Sequence, residues 1–409
     1  MPMRPVVLRF VATILAFAAA GATAICAADA AGNAPAAAPL VQANSAQPVQ
    51  PTRVESPLKT VPGRDWPLVR GDALATGVAV STLPDSLELV WKYAVPKGAF
   101  AATPLIVDGT VYIGDLDGAM RAIDLANGAE KWKFTAQAGF NASAAYRRGR
   151  LYLGDSDGLF YCLDAADGKV VWTFKTEGEI DSSANFFHDN VLFGSQDSTL
   201  YCLDAKSGKK VWTLTTADQI RCPPTVVDDR AFVAGCDGKL HIIDVTKGES
   251  VATVDIESPT GCTPAVQGSV VYFGTEAGTF FAIDWKQAKI LWQWSDKVRS
   301  DALRSSAALT PQAIIFGSRD KRVRALDPAT GKVIWEHATR GRIDSSPVVV
   351  GERLFLGASD GRVYGLDRRT GKSVWQYEAG GEFTGSPAVA DHRLVIASED
   401  GIVYCFGAK

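Results

Sequence analysis

The sequence predicts an all-β fold, an eight-bladed β-propeller whose N-terminal strand closes the last blade. Three observations predict it. A pattern Asp-x-x-x-Gly-x-x-x-Trp recurs along the chain, short strands separated by turn residues precede each recurrence, and the two ends of the array are complementary fragments of one unit.

The pattern first appears as Asp124, Gly128 and Trp132, returns 40 residues on as Asp164, Gly168 and Trp172, and again as Asp204, Gly208 and Trp212. It continues with Asp244 and Gly248, Asp284 and Trp292, Asp327, Gly331 and Trp335, and ends with Asp367, Gly371 and Trp375. Only the step from 284 to 327 is longer, 43 residues, and the extra three are expected in a loop near Lys297 to Leu303. In such a hairpin the Asp carboxylate accepts turn N–H groups and the Gly supplies a positive φ. The indole that follows is wide enough to fill the wedge between blades while its N–H reaches a neighbouring carbonyl. Trp91, Trp132, Trp172, Trp212, Trp292, Trp335 and Trp375 are therefore the expected blade-docking residues.

Within one unit the strands are predicted over 103–107, 111–114, 119–124 and 129–134, with the turn Asp115 to Gly118 between the second and third. Seven complete units end at Trp132, Trp172, Trp212, Ala252, Trp292, Trp335 and Trp375. An eighth, carrying strands at 393–397 and 402–406, stops at Lys409 without an outer strand, and Leu87 to Tyr93, with Trp91, is an outer strand without a blade. Pairing the two closes the ring and removes exposed sheet edges.

From about Pro62 to Lys409 the repeats, such as Leu151-Tyr152-Leu153-Gly154-Asp155 followed by Leu163-Asp164 and Gly168 to Trp172, resemble PQQ-like (pyrroloquinoline quinone) propeller repeats. Trp66, Arg70-Gly71-Asp72 and Thr76-Gly77 resemble the lead-in of that family. Arg70-Gly71-Asp72 also spells an integrin-binding tripeptide, a reading that three residues alone do not support.

The resemblance implies one of two activities, because fold alone does not fix function. Quinoprotein alcohol dehydrogenases hold PQQ over the axis against a disulfide of adjacent cysteines, with Ca²⁺ and a catalytic Asp. The BamB-like branch provides a docking platform in outer-membrane protein assembly. Here the seven cysteines are Cys26, Cys162, Cys202, Cys222, Cys236, Cys262 and Cys405, none adjacent to another, and no Cys-x-x-Cys-His is present. The units also lack the large insertions of those enzymes. The expectation is a non-enzymatic scaffold with no catalytic, cofactor or metal residues; the alternative is a PQQ-dependent dehydrogenase carrying PQQ with Ca²⁺.

The 42 Lys+Arg stand against 45 Asp+Glu with no long block of either sign, so nucleic acid is not an expected partner. Arg4 and Arg9 flank the start of an apolar run, Phe10 to Ala20, that is too short to span a bilayer and reads as an export signal over residues 1–28. Residues 29–61, rich in Ala, Pro and Gln, read as a disordered linker, and 62–409 as the propeller. Cys26 sits where lipoproteins carry their lipidated cysteine, although Ile25 replaces the small residue usual before it. The expected location is periplasmic or secreted, the expected partner another envelope or secreted protein, and the expected state monomeric, with no membrane span after signal removal.

Candidate axial binding residues are Asn141, Asp181, Arg221, Arg304, Asp344 and Thr384, which share one repeat position where each inner strand begins. They read either as a ligand or partner site or as a self-neutralising solvated ring. Cys222, Cys236 and Cys262 fall close together on one face and form a candidate disulfide set, Cys222–Cys236 or Cys222–Cys262. Cys162, Cys202 and Cys405 repeat one strand position and read as small core residues. Asp115-x-Asp117-Gly118 and Asp155-x-Asp157-Gly158 superficially suggest calcium loops but lack the remaining oxygen ligands, so hairpin turns are expected. Ala252 in place of Trp, and Ala288 in place of Gly, mark blades four and five as atypical; Trp285, Trp292 and Trp294 nearby either pack into that gap or form a partner surface.

Overall fold

The computed structural model describes residues 63–409; the expected signal over 1–28, the linker over 29–61 and Cys26 lie outside the described residues. Blade one is built from Leu105–Val107, Thr110–Gly114, Ala119–Asp124 and Glu130–Thr135, paired antiparallel in that order. The three inner strands are almost wholly buried, whereas Glu130–Thr135 alternates between exposed and half-buried. Stacked neighbours cover both faces of the inner strands, which therefore read as continuous apolar runs; the outermost strand keeps one face in water and shows the two-residue period.

Eight such sheets are present among the described residues. In blade eight, Ala388–Ala390, Arg393–Ala397 and Ile402–Gly407 are completed by Glu88–Ala94, with Trp91 opposite Cys405. The closure expected from the two fragmentary ends is thus formed. The three additional residues of the long step lie between Lys289–Ser295 and Ala308–Leu309, outside both strands.

The lead-in does something the repeat pattern does not announce. It runs round the central channel and bonds to every blade in turn. Trp66 pairs with Ile106 in blade one, and the Pro67 carbonyl accepts from the amide of Tyr146 in blade two. The Ala73 carbonyl accepts from Asn185 Nδ2 in blade three and from the Val226 amide in blade four. Leu74, Thr76 and Gly77 carbonyls accept from Val266, Leu309 and Val349 in blades five, six and seven, and Val78–Ala79 continues parallel to Val348–Val350. The Gly63 carbonyl accepts from Asp391 in blade eight. Inner strands facing a channel are free edges, and these bonds pair amides that would otherwise be left open there.

Chain direction sorts the connections between two axial faces. The turns joining second to third strands, and the loops leading from one blade to the next, share the loop face, as the 2.9 Å bond from Phe140 N to Asp115 O shows. The remaining turns form the hairpin face, where the lead-in begins with Gly63 and with Arg64 beside Asp391 at 3.9 Å.

Candidate functional site

Every tryptophan expected to dock blades donates its indole N–H to a carbonyl of the next blade. Trp91 reaches Leu125 at 2.9 Å, Trp132 Ala165 at 3.0 Å, Trp172 Ala205 at 3.2 Å and Trp212 Val245 at 3.0 Å. Trp292 reaches Pro328 at 2.9 Å, Trp335 Arg368 at 3.0 Å and Trp375 Leu87 at 3.0 Å. Every one of these rings except Trp375 lies against the turn glycine of the blade it docks: a Cβ on Gly168, whose φ is +73°, would come within 2.6 Å of Trp132. Trp and Gly are therefore one joint split between two blades. Where Ala252 removes the ring, the facing Ala288 needs no such clearance. There Trp285 turns its ring edge-on to Phe232 at 5.5 Å and donates to Gly268 O at 3.1 Å. Trp294 packs edge-on against Phe316 at 5.8 Å and beneath the Arg324 guanidinium at 4.9 Å. The aromatic cluster of blades four and five is packing.

The acidic turns are structural as well. Asp115 Oδ1 accepts from the amides of Asp117 and Ala119, and its Oδ2 pairs with Arg121. Asp155 does the same with Asp157, Leu159 and the Tyr161 hydroxyl. In later blades the carboxylate sits two residues further on and again meets the third strand: Asp197 with Tyr201, Asp237 with His241, Asp320 with Arg324, Asp360 with Tyr364. Blade five has Ala277 and Phe281 at these two positions, both partners changed together. Burial, followed by the carboxylate bond, pushes the Tyr364 phenol up to about 12 and raises Tyr161 and Tyr201 as well. Among the described residues no three His, Cys, Asp or Glu side chains gather as a metal site would require.

The axial residues meet at the loop-face mouth of the channel, where Arg304 and Asp344 are in ion pairs and Asp181 and Arg221 are bonded to neutral amides. Asp181 accepts from Asn141 Nδ2 at 3.1 Å and Gln196 Nε2 at 2.6 Å. Arg221 donates to Gln219 at 2.8 Å and Gln196 at 3.3 Å, Arg304 pairs with Glu276 at 2.8 Å, and Arg319 grips Asp344 through two bonds of 2.7 and 2.8 Å. The hydroxyl of Thr384 is buried and has no hydrogen-bond partner among the described residues. Gln196, Glu276 and Arg319 are the residues that reading by strand position misses; they share a repeat position in the turn after the second strand, and that recurrence is the signal that finds them.

One step inward, Cys222 and Cys262 occupy the position held elsewhere by Ser182, Ser305 and Ser345. Cys222 Sγ accepts from Ala234 N at 3.3 Å, as Ser182 Oγ does from Gly194 N at 3.0 Å, and Cys262 Sγ donates to Leu303 O at 3.0 Å. Burial pushes both thiols up to about 12. Cys222, Cys236 and Cys262 are all free, so the candidate disulfide is not formed: each of the two buried sulfurs is engaged by backbone, and Cys236 lies in the loop-face turn. Cys162, Cys202 and Cys405 are buried core residues as expected.

Next comes a girdle of hydroxyls. Thr103 N donates to Ser143 Oγ and Ser143 N to Ser183 Oγ; Thr263 N, Ser306 N and Ser346 N donate to Ser306, Ser346 and Ser386; and Ser386 N returns to Thr103 Oγ1. Pro223 alone interrupts it. Arg70 lies within this girdle, 1% exposed, its Nη2 donating to Ala307 and Pro347 carbonyls. The Arg70-Gly71-Asp72 tripeptide is accordingly closed to an integrin.

Outside the paired mouth the loop face is split by charge. Glu177, Glu179 and Asp218 are exposed on blades three and four; Lys297, Arg299, Lys321, Arg340 and Arg342 are exposed on blades six and seven. Val298, at the tip of the inserted loop, is 90% exposed. Other exposed aliphatics, such as Val171, Val211, Val251 and Val374, are spread round the outer strands of different blades.

Sheets docked ring-to-glycine, sealed by the N-terminal strand and laced by a lead-in, define a closed propeller of PQQ-like repeats with a polar axial mouth. The chain belongs to the family described as outer membrane protein assembly factor BamB, whose sequence profile it matches over residues 73–142, 121–219 and 196–409. BamB from Moraxella catarrhalis is similar in structure, with 22% identity and a TM-score of 0.67 over 79% of this chain and 98% of that one. Quinohemoprotein alcohol dehydrogenase from Comamonas testosteroni is also similar, with 16% identity and a TM-score of 0.73 over 86% of this chain and 82% of that one. Such identities speak for the fold alone. A 1-butanol dehydrogenase (quinone) of Thauera butanivorans is 29% identical over 99 residues, which is 22% of this chain and only 16% of that relative.

Proposed function

We propose that this chain is an exported, non-enzymatic scaffold of the cell envelope that docks another envelope or secreted protein on its loop face, in the manner the BamB relationship suggests. The observation that carries this reading is the division of labour on that face. At the axial mouth Arg304 and Asp344 are held in ion pairs with Glu276 and Arg319, whereas the acidic arc of Glu177, Glu179 and Asp218 and the basic arc of Lys297, Arg299, Lys321 and Arg340 form no ion pairs among the described residues and stand exposed. Complementary fields of this kind steer and orient a protein partner. The hairpin face is the less open one, since the lead-in is bonded across it.

A second reading, a PQQ-dependent dehydrogenase, is favoured by the stretch similar to the 1-butanol dehydrogenase. The residues present do not fit the group as those enzymes hold it: no cysteines are adjacent, Asp181 and Asp344 are already engaged, and the channel below them is filled by the lead-in around Arg70. One pair of measurements separates the readings. Added PQQ with Ca²⁺ is expected to leave both the melting temperature and reduction of an artificial electron acceptor unchanged, and dye reduction would contradict the scaffold. Capture from envelope extracts by wild-type protein, lost on Lys321→Glu with Arg340→Glu, is the expected positive result; capture indifferent to those charges would place the partner elsewhere.

A further inference from the structure

On the hairpin face, two of the wedges between neighbouring blades are spanned by an arginine at the start of a second strand. In blade two Arg150 donates across the gap to the Lys206 carbonyl of blade three at 3.0 Å. In blade seven Arg353 reaches the Leu83 and Pro84 carbonyls, ahead of the outer strand of blade eight, at 2.9 and 2.8 Å. Blade six carries Ala313 at this position: it precedes Asp327 by 14 residues, as Arg150 precedes Asp164 and Arg353 precedes Asp367. A methyl group does not span the wedge, and a cavity of about 370 Å³ opens there between blades six and seven. Volumes of this order stand at the lower end of those that take small molecules.

Apolar and cationic surfaces meet in this cavity. Ile334, the extra residue of the bulge in the outer strand of blade six, is 48% exposed beside the indole of Trp335. Arg368 and Arg369, from the last turn of blade seven, form the other wall. Arg368 is fixed: its Nε donates to Gly351 O at 2.9 Å, its Nη1 to Gln312 Oε1 at 3.3 Å and its Nη2 to Glu352 Oε1 at 2.8 Å. Arg369 engages only its Nε, 2.7 Å from Glu352 Oε2, and its Nη1 and Nη2 make no hydrogen bond among the described residues. Glu352 thus serves two guanidiniums, and no carboxylate lines the cavity among the described residues. The Asp367 carboxylate, next in the chain, is taken up by the amides of Arg369 and Thr370 and the Thr370 hydroxyl. One guanidinium therefore keeps its terminal nitrogens free alongside an exposed aliphatic chain and an indole.

We infer that this cavity is a binding site for a small organic acid whose apolar body is about the size of one ring or one branched side chain. The carboxylate takes paired bonds from Arg369 Nη1 and Nη2, and the body covers Ile334 and the edge of Trp335. Phosphate or sulfate suits the same guanidinium but leaves the apolar wall wet, and a neutral ligand leaves the guanidinium unused. The site lies on the hairpin face, apart from the loop-face charges of the proposed docking surface, so its occupancy is independent of that reading.

The test uses the whole chain and hydrocinnamate, with hydrocinnamide as the neutral counterpart and acetate as the head without the body. The indole N–H of Trp335, bonded to Arg368 O at 3.0 Å, reports occupancy by nuclear magnetic resonance. Its signal is expected to move with hydrocinnamate at a Kd of about 0.1–1 mM, and with the amide or acetate at a Kd at least about tenfold weaker. N-acetyl-leucine, a polypeptide end in miniature, distinguishes a chain terminus from a free acid by which of the two acids binds tighter. Ala313→Arg, which restores the residue of blades two and seven, is expected to melt no lower than wild type and to abolish the response. Arg369→Gln keeps the cavity and is expected to erase the preference for acid over amide, and it decides alone if Ala313→Arg does not fold. Equal binding of acid and amide to the wild type, a Trp335 signal unmoved by about 10 mM hydrocinnamate, or undiminished binding to folded Ala313→Arg overturns the inference.

Discussion

The backbone amide of Ser386 donates to the hydroxyl of Thr103 across 3.0 Å, joining the last blade to the first with the same bond that joins blades in the interior of the array. At the outer rim the same seam is closed by Trp91, whose indole reaches Leu125 as the other tryptophans reach their neighbours. Sequence neighbours are thus imitated by residues 283 positions apart.

Thr103→Val removes the acceptor while keeping the shape, and strands the Ser386 amide in a buried place. The expected loss is about 1–3 kcal/mol, read as a lower urea midpoint with unchanged slope. Thr103→Ser keeps the oxygen and is expected to stay within about 0.5 kcal/mol of wild type.

The ring-to-glycine joint makes a differential prediction. Gly208, at φ +70°, faces Trp172, and an added Cβ would lie 2.6 Å from the ring, so Gly208→Ala is expected to cost about 1–3 kcal/mol. Ala288→Gly, at the equivalent place where no Trp arrives, is expected to cost less than about 1 kcal/mol. Equal losses in chemical denaturation contradict the joint.

Blade five offers a natural double mutant. His241 meets Asp237 at 2.8 Å with that carboxylate side chain 3% exposed. His241→Phe alone is expected to lose about 1–3 kcal/mol by leaving an oxygen unpaired. Adding Asp237→Ala, which recreates the Ala277 and Phe281 pair, is expected to recover most of it, a non-additivity measurable as a double-mutant cycle.

Much of this arrangement was legible because the chain says the same thing repeatedly. Asp, Gly and Trp at fixed spacing gave blade number and docking, and Trp91 without a blade gave the closure. What escaped detection occurs once or acts through backbone. The circuit of Gly63 to Ala79 offers carbonyls to inner-strand amides, and carbonyls leave no trace in side-chain pattern; only Asn185, which replaces an amide with its own side chain, hints at it. The axial ring was found by position, but its partners Gln196, Glu276 and Arg319 come from a different turn and had no reason to be read with it. A shared face makes a disulfide possible without requiring one, and Ser182, Ser305 and Ser345 at the position of Cys222 and Cys262 point to a hydrogen-bonding role there.

Those thiols set a pH dependence. Burial raises Cys202, Cys222, Cys262 and Cys405 from 9.0 to about 12. The unfolded chain releases these protons from pH 9 upward while the folded chain keeps them, so stability present below pH 9 is lost as pH rises towards 12. Each thiol adds up to about 1.4 kcal/mol per pH unit to the slope. Cys222→Ser is expected to be close to neutral at pH 7 and to flatten the alkaline limb, measured by urea unfolding at pH 8 and pH 10.

The lead-in circuit is tested most directly by hydrogen exchange at single-residue resolution. The amides of Tyr146, Val226, Val266, Leu309 and Val349, each bonded to a lead-in carbonyl, are expected to exchange as slowly as those paired within blades. Exchange of these five at the rate of exposed loops, with the remaining strands protected, would contradict a channel filled by residues 63–79.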